Sequence, residues 1–387
     1  MAASTRPWKW LMAGLVLSPA FAIAHTVCDL ERPAPGCDIA TLDRTLHMNQ
    51  LQAIGTHNSY KQAMPPDEWA AHHSRDPRGA EGLDYAHPAL DVQLDRGART
   101  LELDIYHDPQ GGRYAHPPGA LRKGYAPSPW PAGIAADMDK PGFKVMHLAD
   151  IDFRSSCQVF VDCLKIIRRW SLAHPRHVPI MLLLNAKDGH GGPGAADPLP
   201  FTAAAFDAMD AEIRSVFAPN ELVVPDDVQG KRPTLREAVL AGQWPTLGGA
   251  RGKVFFVLDE DRAKVAMYRG TRHSLEGRVA FVNTDETSPA AAYLTLNDPL
   301  VEGERIRRDV DAGYMVRTRA DADTREARRD DTSRRDAAFA SGAQYVSTDY
   351  MAPDTRLGPY HVTLPDAAVA RCTPRLNAAA CSPQGHP

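Results

Sequence analysis

The stretch Leu51–Tyr60, LQAIGTHNSY, begins apolar and then presents a histidine, an amide, a hydroxyl and a phenol in its last four residues. Short apolar runs suit the inner strands of a parallel sheet, and in barrels of alternating strand and helix the reactive groups stand where strands end. Taken alone, His57 reads as a hydrogen-bonded structural histidine. Three later stretches repeat the design of an apolar run closing on polar groups: Leu101–His107 (LELDIYH), Phe143–Asp152 (FKVMHLADID) and Pro179–Asp188 (PIMLLLNAKD). Apolar runs at Lys253–Leu258, Val279–Val282, Tyr314–Arg317 and Gln344–Ser347 bring the strands to eight. Between Ser155 and Ala173 the apolar positions Val159, Leu164, Ile167 and Trp170 recur at helical spacing, and the charged run Arg325–Ser341 predicts a helix stopped by Gly342. This alternation predicts an α/β fold, a (β/α)8 TIM barrel. A doubly wound open sheet fits less well, because no glycine-rich phosphate turn follows the first strand.

The stretch Asp108–Gly142 is rich in Gly and Pro, carries Tyr114, His116, Tyr125 and Trp130, and has no sustained period. It predicts a long loop after strand 2 that distorts the barrel, and that either shapes a substrate pocket or projects as a surface insertion. At 387 residues the chain suits one large barrel, and its 28 Gly and 32 Pro are scattered, so residues 25–387 read as a single domain. Residues 1–24 read as a secretory signal peptide: Arg6 and Lys9, an apolar core Leu11–Leu17, then small residues at Ala22 and Ala24. No later apolar run is long enough to span a bilayer, so a secreted or periplasmic protein without a transmembrane segment is expected. The formal net charge of -4 argues against nucleic acid as a partner.

Export agrees with six cysteines in three close pairs, Cys28 with Cys37, Cys157 with Cys163 and Cys372 with Cys381. Three local disulfides are the simplest assignment; metal binding competes, but none of the pairs is a CxxC. A regular helix would hold the Cα atoms of Cys157 and Cys163 about 9 Å apart, beyond disulfide reach, so that bond requires Cys157 to precede the helix.

Glu102 and Asp104 stand two apart on a strand, which sends both side chains to one face, the barrel mouth. Two carboxylates that close repel unless a cation lies between them or one is protonated. Hard oxygen ligands favour calcium or magnesium, and Asn58 can add a carbonyl oxygen; a structural salt-bridge network is the alternative. Zinc is not indicated, since His72 and His73 are adjacent and no HExxH occurs.

In order along the chain, THNSY, ELDIY, VMHLADID, the tail of LLLNAK, VRTRADADT (Val316–Thr324) and VSTDY (Val346–Tyr350) resemble the phosphatidylinositol-specific phospholipase C superfamily. The likeness is strongest to its calcium-dependent secreted bacterial branch and covers Leu51 to Tyr350. It implies a barrel that cleaves phosphatidylinositol at a membrane surface by attack of an inositol hydroxyl, giving diacylglycerol and a cyclic inositol phosphate. By the same resemblance His57 takes the proton of the attacking hydroxyl or stabilises the phosphorane-like charge, and His147 protonates the leaving alkoxide. Calcium would rest on Asn58, Glu102, Asp104 and Asn185, with Lys187 adding positive charge beside the phosphoryl group. Asp349, at the end of the eighth strand, either binds a sugar hydroxyl or makes a structural hydrogen bond. The chain departs from the pattern at Asn185, where such enzymes commonly carry a carboxylate ligand; an amide oxygen coordinates without adding charge.

Two other readings stand beside this one. A glycerophosphodiester phosphodiesterase or phospholipase D-like enzyme would use the same barrel and an ExD pair, and differs in its products. An inactive barrel that binds headgroups would need neither an acid nor a base, and the presence of both His57 and His147 speaks against it.

Overall fold

The computed structural model describes residues 28–33, 36–119, 130, 132–189, 196–375 and 381; the segment read as a signal peptide and Tyr125 lie outside them. Its strands are β1 (Leu51–Thr56), β2 (Thr100–Tyr106), β3 (Lys144–Val145), β4 (Ile180–Ala186), β5 (Val254–Leu258), β6 (Ala280–Val282), β7 (Tyr293–Thr295), β8 (Met315–Arg319), β9 (Tyr345–Thr348) and β10 (Ala370–Cys372). Eight of them run in the order β6-β5-β4-β2-β1-β9-β8-β7 with parallel pairing. Among the described residues β6 and β7 meet through a single parallel bridge, Asn283 to Tyr293, so the barrel is nearly closed with a seam there. The fold is a distorted (β/α)8 barrel. Gly55 permits the close approach of β1 to β2: a Cβ there would fall 1.9 Å from the Thr100 carbonyl oxygen.

The eight barrel strands include one that the sequence pattern hides and exclude one that it suggests. Phe143–Asp152 is not a barrel strand. Lys144 and Val145 instead lie antiparallel across the end of β2, opposite Tyr106 and Ile105, and the chain then bends where Leu148 bridges Asp152. Lys144 interrupts the apolar run and is buried with its Nζ 3.2 Å from Asp108 Oδ2. The missing strand is β7, three residues following Ala290–Ala292, too short to show a period.

The helix Phe160–Ala173 buries Phe160, Cys163, Leu164, Ile167 and Trp170 against the sheet, a 3.6-residue period. The helix expected over Arg325–Ser341 divides into Arg325–Arg329 and Ser333–Ser341, because Asp330 takes a left-handed backbone at φ 50°. It still ends at Gly342, with φ 85°. Tyr114 and Trp130 of the long loop are buried in a satellite cluster with Tyr106, Met138, Met146 and Phe153, at the end of β2 and beside the segment that carries His147.

Three disulfides join Cys28 to Cys37, Cys157 to Cys163 and Cys372 to Cys381, with Cα separations of 5.8, 5.4 and 6.2 Å. Cys157 lies ahead of the helix that begins at Phe160, as the bond requires. Each closes a short loop, for which chain entropy gives about 2–3 kcal/mol of stabilisation. Thiol titration of the denatured, unreduced protein is expected to find no free cysteine, and reduction to lower the melting temperature. Two or more free thiols would contradict the pairing.

Candidate active site

The strand-end turn after β1 places the first groups. Asn58 adopts φ 47°, a left-handed conformation that asparagine tolerates. Ser59 N–H donates to the Glu102 carbonyl at 3.0 Å, and Glu102 N–H donates to Ser59 Oγ at 2.8 Å. The turn is thus fastened to β2 at the residue whose side chain enters the mouth.

His57 Nδ1 lies 2.8 Å from Asp349 Oδ1. With Nδ1–H donating to that carboxylate, Nε2 keeps its lone pair toward the mouth, where Arg319 Nη1 is 3.4 Å and Glu102 Oε1 3.8 Å away. Burial, then Arg319, Arg317 and His147, hold the imidazole well below the ordinary value of 6.5. His147 repeats the arrangement, its Nδ1 2.8 Å from Asp152 Oδ2. Burial disfavours charge on Asp152, but Lys61, 3.2 Å from Oδ1, and His147 outweigh it and keep the carboxyl below its usual range. Both histidines line one cavity of ≈ 780 Å³, which also takes in Tyr85, Arg319 and Asp349.

Asp104 on β2 pairs in register with Asn185 on β4. Asn185 Nδ2 donates to Glu102 Oε1 at 2.9 Å and to Asp104 Oδ1 at 3.0 Å. Arg317 Nη2 meets Glu102 Oε2 at 2.7 Å, and Lys187 Nζ meets Asp104 Oδ2 at 3.0 Å. Burial raises Glu102 to about 7, Arg317 opposing and Asp104 adding to the rise. Asn58 is buried, donating to Tyr85 OH at 2.8 Å and accepting from Tyr60 OH at 3.3 Å. Glu102, Asp104, Asn185 and Lys187 therefore form one connected cluster. Glu102 links it to His57, and Asn58 reaches the same histidine through Tyr85, whose OH is 3.3 Å from Nδ1.

Of the two roles expected for Asp349, the hydrogen-bonding one has partners within the protein: Oδ1 lies 2.8 Å from His57 Nδ1 and Oδ2 accepts from Arg319 Nη2 at 3.3 Å. The residue also lines the cavity. Arg317, Arg319, Tyr85 and Asp152 were not foreseen as site residues. The signal for the arginines was present: they stand two apart on a strand, as Glu102 and Asp104 do. Asp152 stands five residues after His147 in the same motif, whereas nothing local marks Tyr85.

A β/α barrel with paired histidines and clustered carboxylates at the C-terminal ends of its strands defines an enzyme that works at the mouth. A family model, Phosphoinositide phospholipase C, Ca2+-dependent, matches residues 46–374. The chain belongs to that family of phosphodiesterases. Among solved structures, it is similar to a calcium-dependent phosphoinositol-specific phospholipase C from Pseudomonas sp. (TM-score 0.52, 15% identity, covering 88% of this chain and 100% of that one). It is also similar to a Ca2+-dependent phosphatidylinositol-specific phospholipase C from Streptomyces antibioticus (TM-score 0.50, 19% identity, covering 79% of this chain and 95% of that one). The comparison with curated protein sequences finds no match. Among the described residues no helix is long and apolar enough to cross a membrane.

The family's calcium dependence can be set against the residues present. The Asn185 amide donates to both carboxylates, so the NH2 end of a neutral amide already fills the space between them. Turning the amide end for end puts its oxygen there and gives a set of three hard oxygen donors suited to calcium. The protein side supplies two charges, each already paired with Arg317 or Lys187. Among the described residues no group of three His, Cys, Asp or Glu is placed to hold a metal ion.

Proposed function

We propose that this protein cleaves phosphatidylinositol to diacylglycerol and a cyclic inositol phosphate, with His57 as base and His147 as acid. The observation that carries this reading is the pair of histidines lining one cavity, each held at Nδ1 by a buried aspartate. That arrangement leaves each Nε2 to exchange a proton with substrate. His57, kept neutral by its surroundings, accepts the proton of the attacking inositol hydroxyl. His147 delivers a proton to the departing glycerol oxygen, and the ionised Asp152 balances the charge on its ring. Arg319 and Lys187 bring positive charge to the phosphoryl oxygens. Glu102, Asp104 and Asn185, with Asn58 beside them, would hold calcium, which supplies charge neutralisation at phosphate and favours ionisation of the hydroxyl. Export by way of residues 1–24 and action on lipid at a membrane surface complete the reading.

Phosphorus NMR of the purified protein with phosphatidylinositol, with and without calcium, tests it. A cyclic inositol phosphate signal that depends on calcium is expected. A phosphatidic acid or glycerophosphate product would replace this reading with a phospholipase D or glycerophosphodiesterase one.

Asn185→Asp provides a separate test of the cluster. Without metal, a third carboxylate beside Glu102 and Asp104 adds repulsion in a buried place, so the melting temperature falls. With calcium the added ligand charge tightens binding. The variant is expected to bind calcium more tightly by calorimetry and to gain more thermal stability from it than wild type does. An unchanged or weaker affinity would remove Asn185 from the ligand set.

A further inference from the structure

Lys61 is wholly buried, and its ammonium directs its protons at three oxygens: Asp152 Oδ1 at 3.2 Å, the Leu83 carbonyl at 2.9 Å and the Tyr85 carbonyl at 3.0 Å. Asp152 in turn holds His147, its Oδ2 lying 2.8 Å from Nδ1. The ammonium thus stands behind the acid of the reaction, one carboxylate removed from it.

Packing alone does not require a charge here. The backbone already joins the two segments: Lys61 bridges Ser155 in an antiparallel pair, Ser156 N–H donates to the Tyr60 carbonyl at 2.7 Å, and Gln62 N–H donates to the Arg154 carbonyl at 3.1 Å. A buried ammonium costs free energy that an apolar side chain of similar length would not. Its counterpart is Asp152. Burial is the strongest influence on that carboxyl and opposes ionisation; Lys61 comes next and favours it, ahead of His147.

The proton transfer explains the charge. While His147 is an imidazolium, Asp152 faces a cation on each of its oxygens. As the bond from phosphorus to the glycerol oxygen breaks, the Nε2 proton moves to that oxygen and the ring becomes neutral. Without Lys61, Asp152 would then be a buried carboxylate with no opposite charge, a state costly enough to keep the proton on the ring. With Lys61 in place the carboxylate stays paired throughout the step.

We propose that Lys61 is the positioning residue of the acid: it holds Asp152 against His147 and keeps that carboxylate paired when the imidazolium gives up its proton. This deepens the phospholipase reading and rests on it. A second path leads from Lys61 through the Tyr85 carbonyl toward the base, since Tyr85 OH lies 3.3 Å from His57 Nδ1.

Two soluble inositol phosphodiesters that differ only in leaving group separate the paths, assayed with calcium present. Glycerol departs only with the proton from His147, whereas p-nitrophenol departs as a stable anion and needs none; both diesters need the base. Lys61→Met is expected to lower kcat on the glyceryl diester by about 10- to 100-fold, the usual cost of removing a group that orients another, with KM changed less than about threefold. On the nitrophenyl diester kcat should fall less than about threefold. In an Asp152→Asn chain the further change Lys61→Met should cost less than about threefold on the glyceryl diester, because the carboxylate that Lys61 serves is gone. It should also raise the melting temperature by removing an unpaired buried ammonium, so this comparison holds even if Lys61→Met alone does not fold. Equal losses on the two diesters, or no loss on either, would overturn the proposal, since Lys61 would then serve the base or the fold alone. A further loss of about tenfold in the Asp152→Asn chain would also overturn it, because Lys61 would then act apart from Asp152. Wild type that cleaves neither diester removes the phospholipase reading and this inference with it, whereas cleavage with equal losses removes this inference alone.

Discussion

Replacing either His57 or His147 with alanine is expected to lower turnover on phosphatidylinositol by about two to four orders of magnitude, the usual worth of a positioned acid or base. The fold should survive, since neither side chain belongs to a hydrophobic core cluster. The two losses should differ in their pH signature. Burial and the arginines hold His57 well below 6.5, so the acid limb of kcat/KM that reports its protonation should lie below the ordinary histidine range. Arg319→Met removes the positive charge that, after burial, lowers His57 most, and should move that limb upward. Asp349→Asn should cost turnover more than substrate affinity, because it releases the ring orientation and leaves Nδ1 without a carboxylate. Activity within a few fold of wild type in both histidine variants would end the acid-base assignment.

The readable part of this site is the part encoded by strand alternation. Glu102 and Asp104 announce themselves because a period of two sends both to the mouth, and the same rule would have found Arg317 and Arg319. Asn185 follows from its register opposite Asp104, a relation between strands that one strand alone does not reveal. His147 was legible as a residue but not as a position. It stands on an antiparallel excursion across the end of β2, and only the pairing of Val145 with Ile105 brings it to the mouth. β7 was invisible because three residues cannot display a period. Tyr85 and Lys61 were hidden for another reason: their roles arise from tertiary packing, with Lys61 fully buried and donating to the Leu83 and Tyr85 carbonyls at 2.9 and 3.0 Å.

Arg317→Met is expected to destabilise the protein by about 3–5 kcal/mol, the cost of leaving one partner of a buried ion pair alone. The pair is nearly sealed from solvent, with side-chain exposures of 3% for Arg317 and 7% for Glu102. The loss should depend on pH in a defined direction. In the folded protein Glu102 already sits near 7 against an ordinary 4.5, raised chiefly by burial, and removing the arginine that opposes this rise lifts it further. A carboxyl raised in the folded state costs nothing below its unfolded value, where both states are protonated; its penalty grows as pH climbs from the unfolded to the folded value and is constant above, so a variant with a higher folded value goes on losing stability where wild type has levelled off. The deficit of the variant relative to wild type should therefore be small near pH 4 and increase toward pH 8, read as the difference in urea midpoints across that range. Glu102→Gln in the same chain removes the buried charge and should recover most of the stability at high pH. Calcium should also stabilise the variant more than wild type, because a cation beside Glu102 takes over the charge that Arg317 supplied. A deficit under 1 kcal/mol, or one that shrinks as pH rises, would mean that Glu102 is not the buried carboxylate that Arg317 serves.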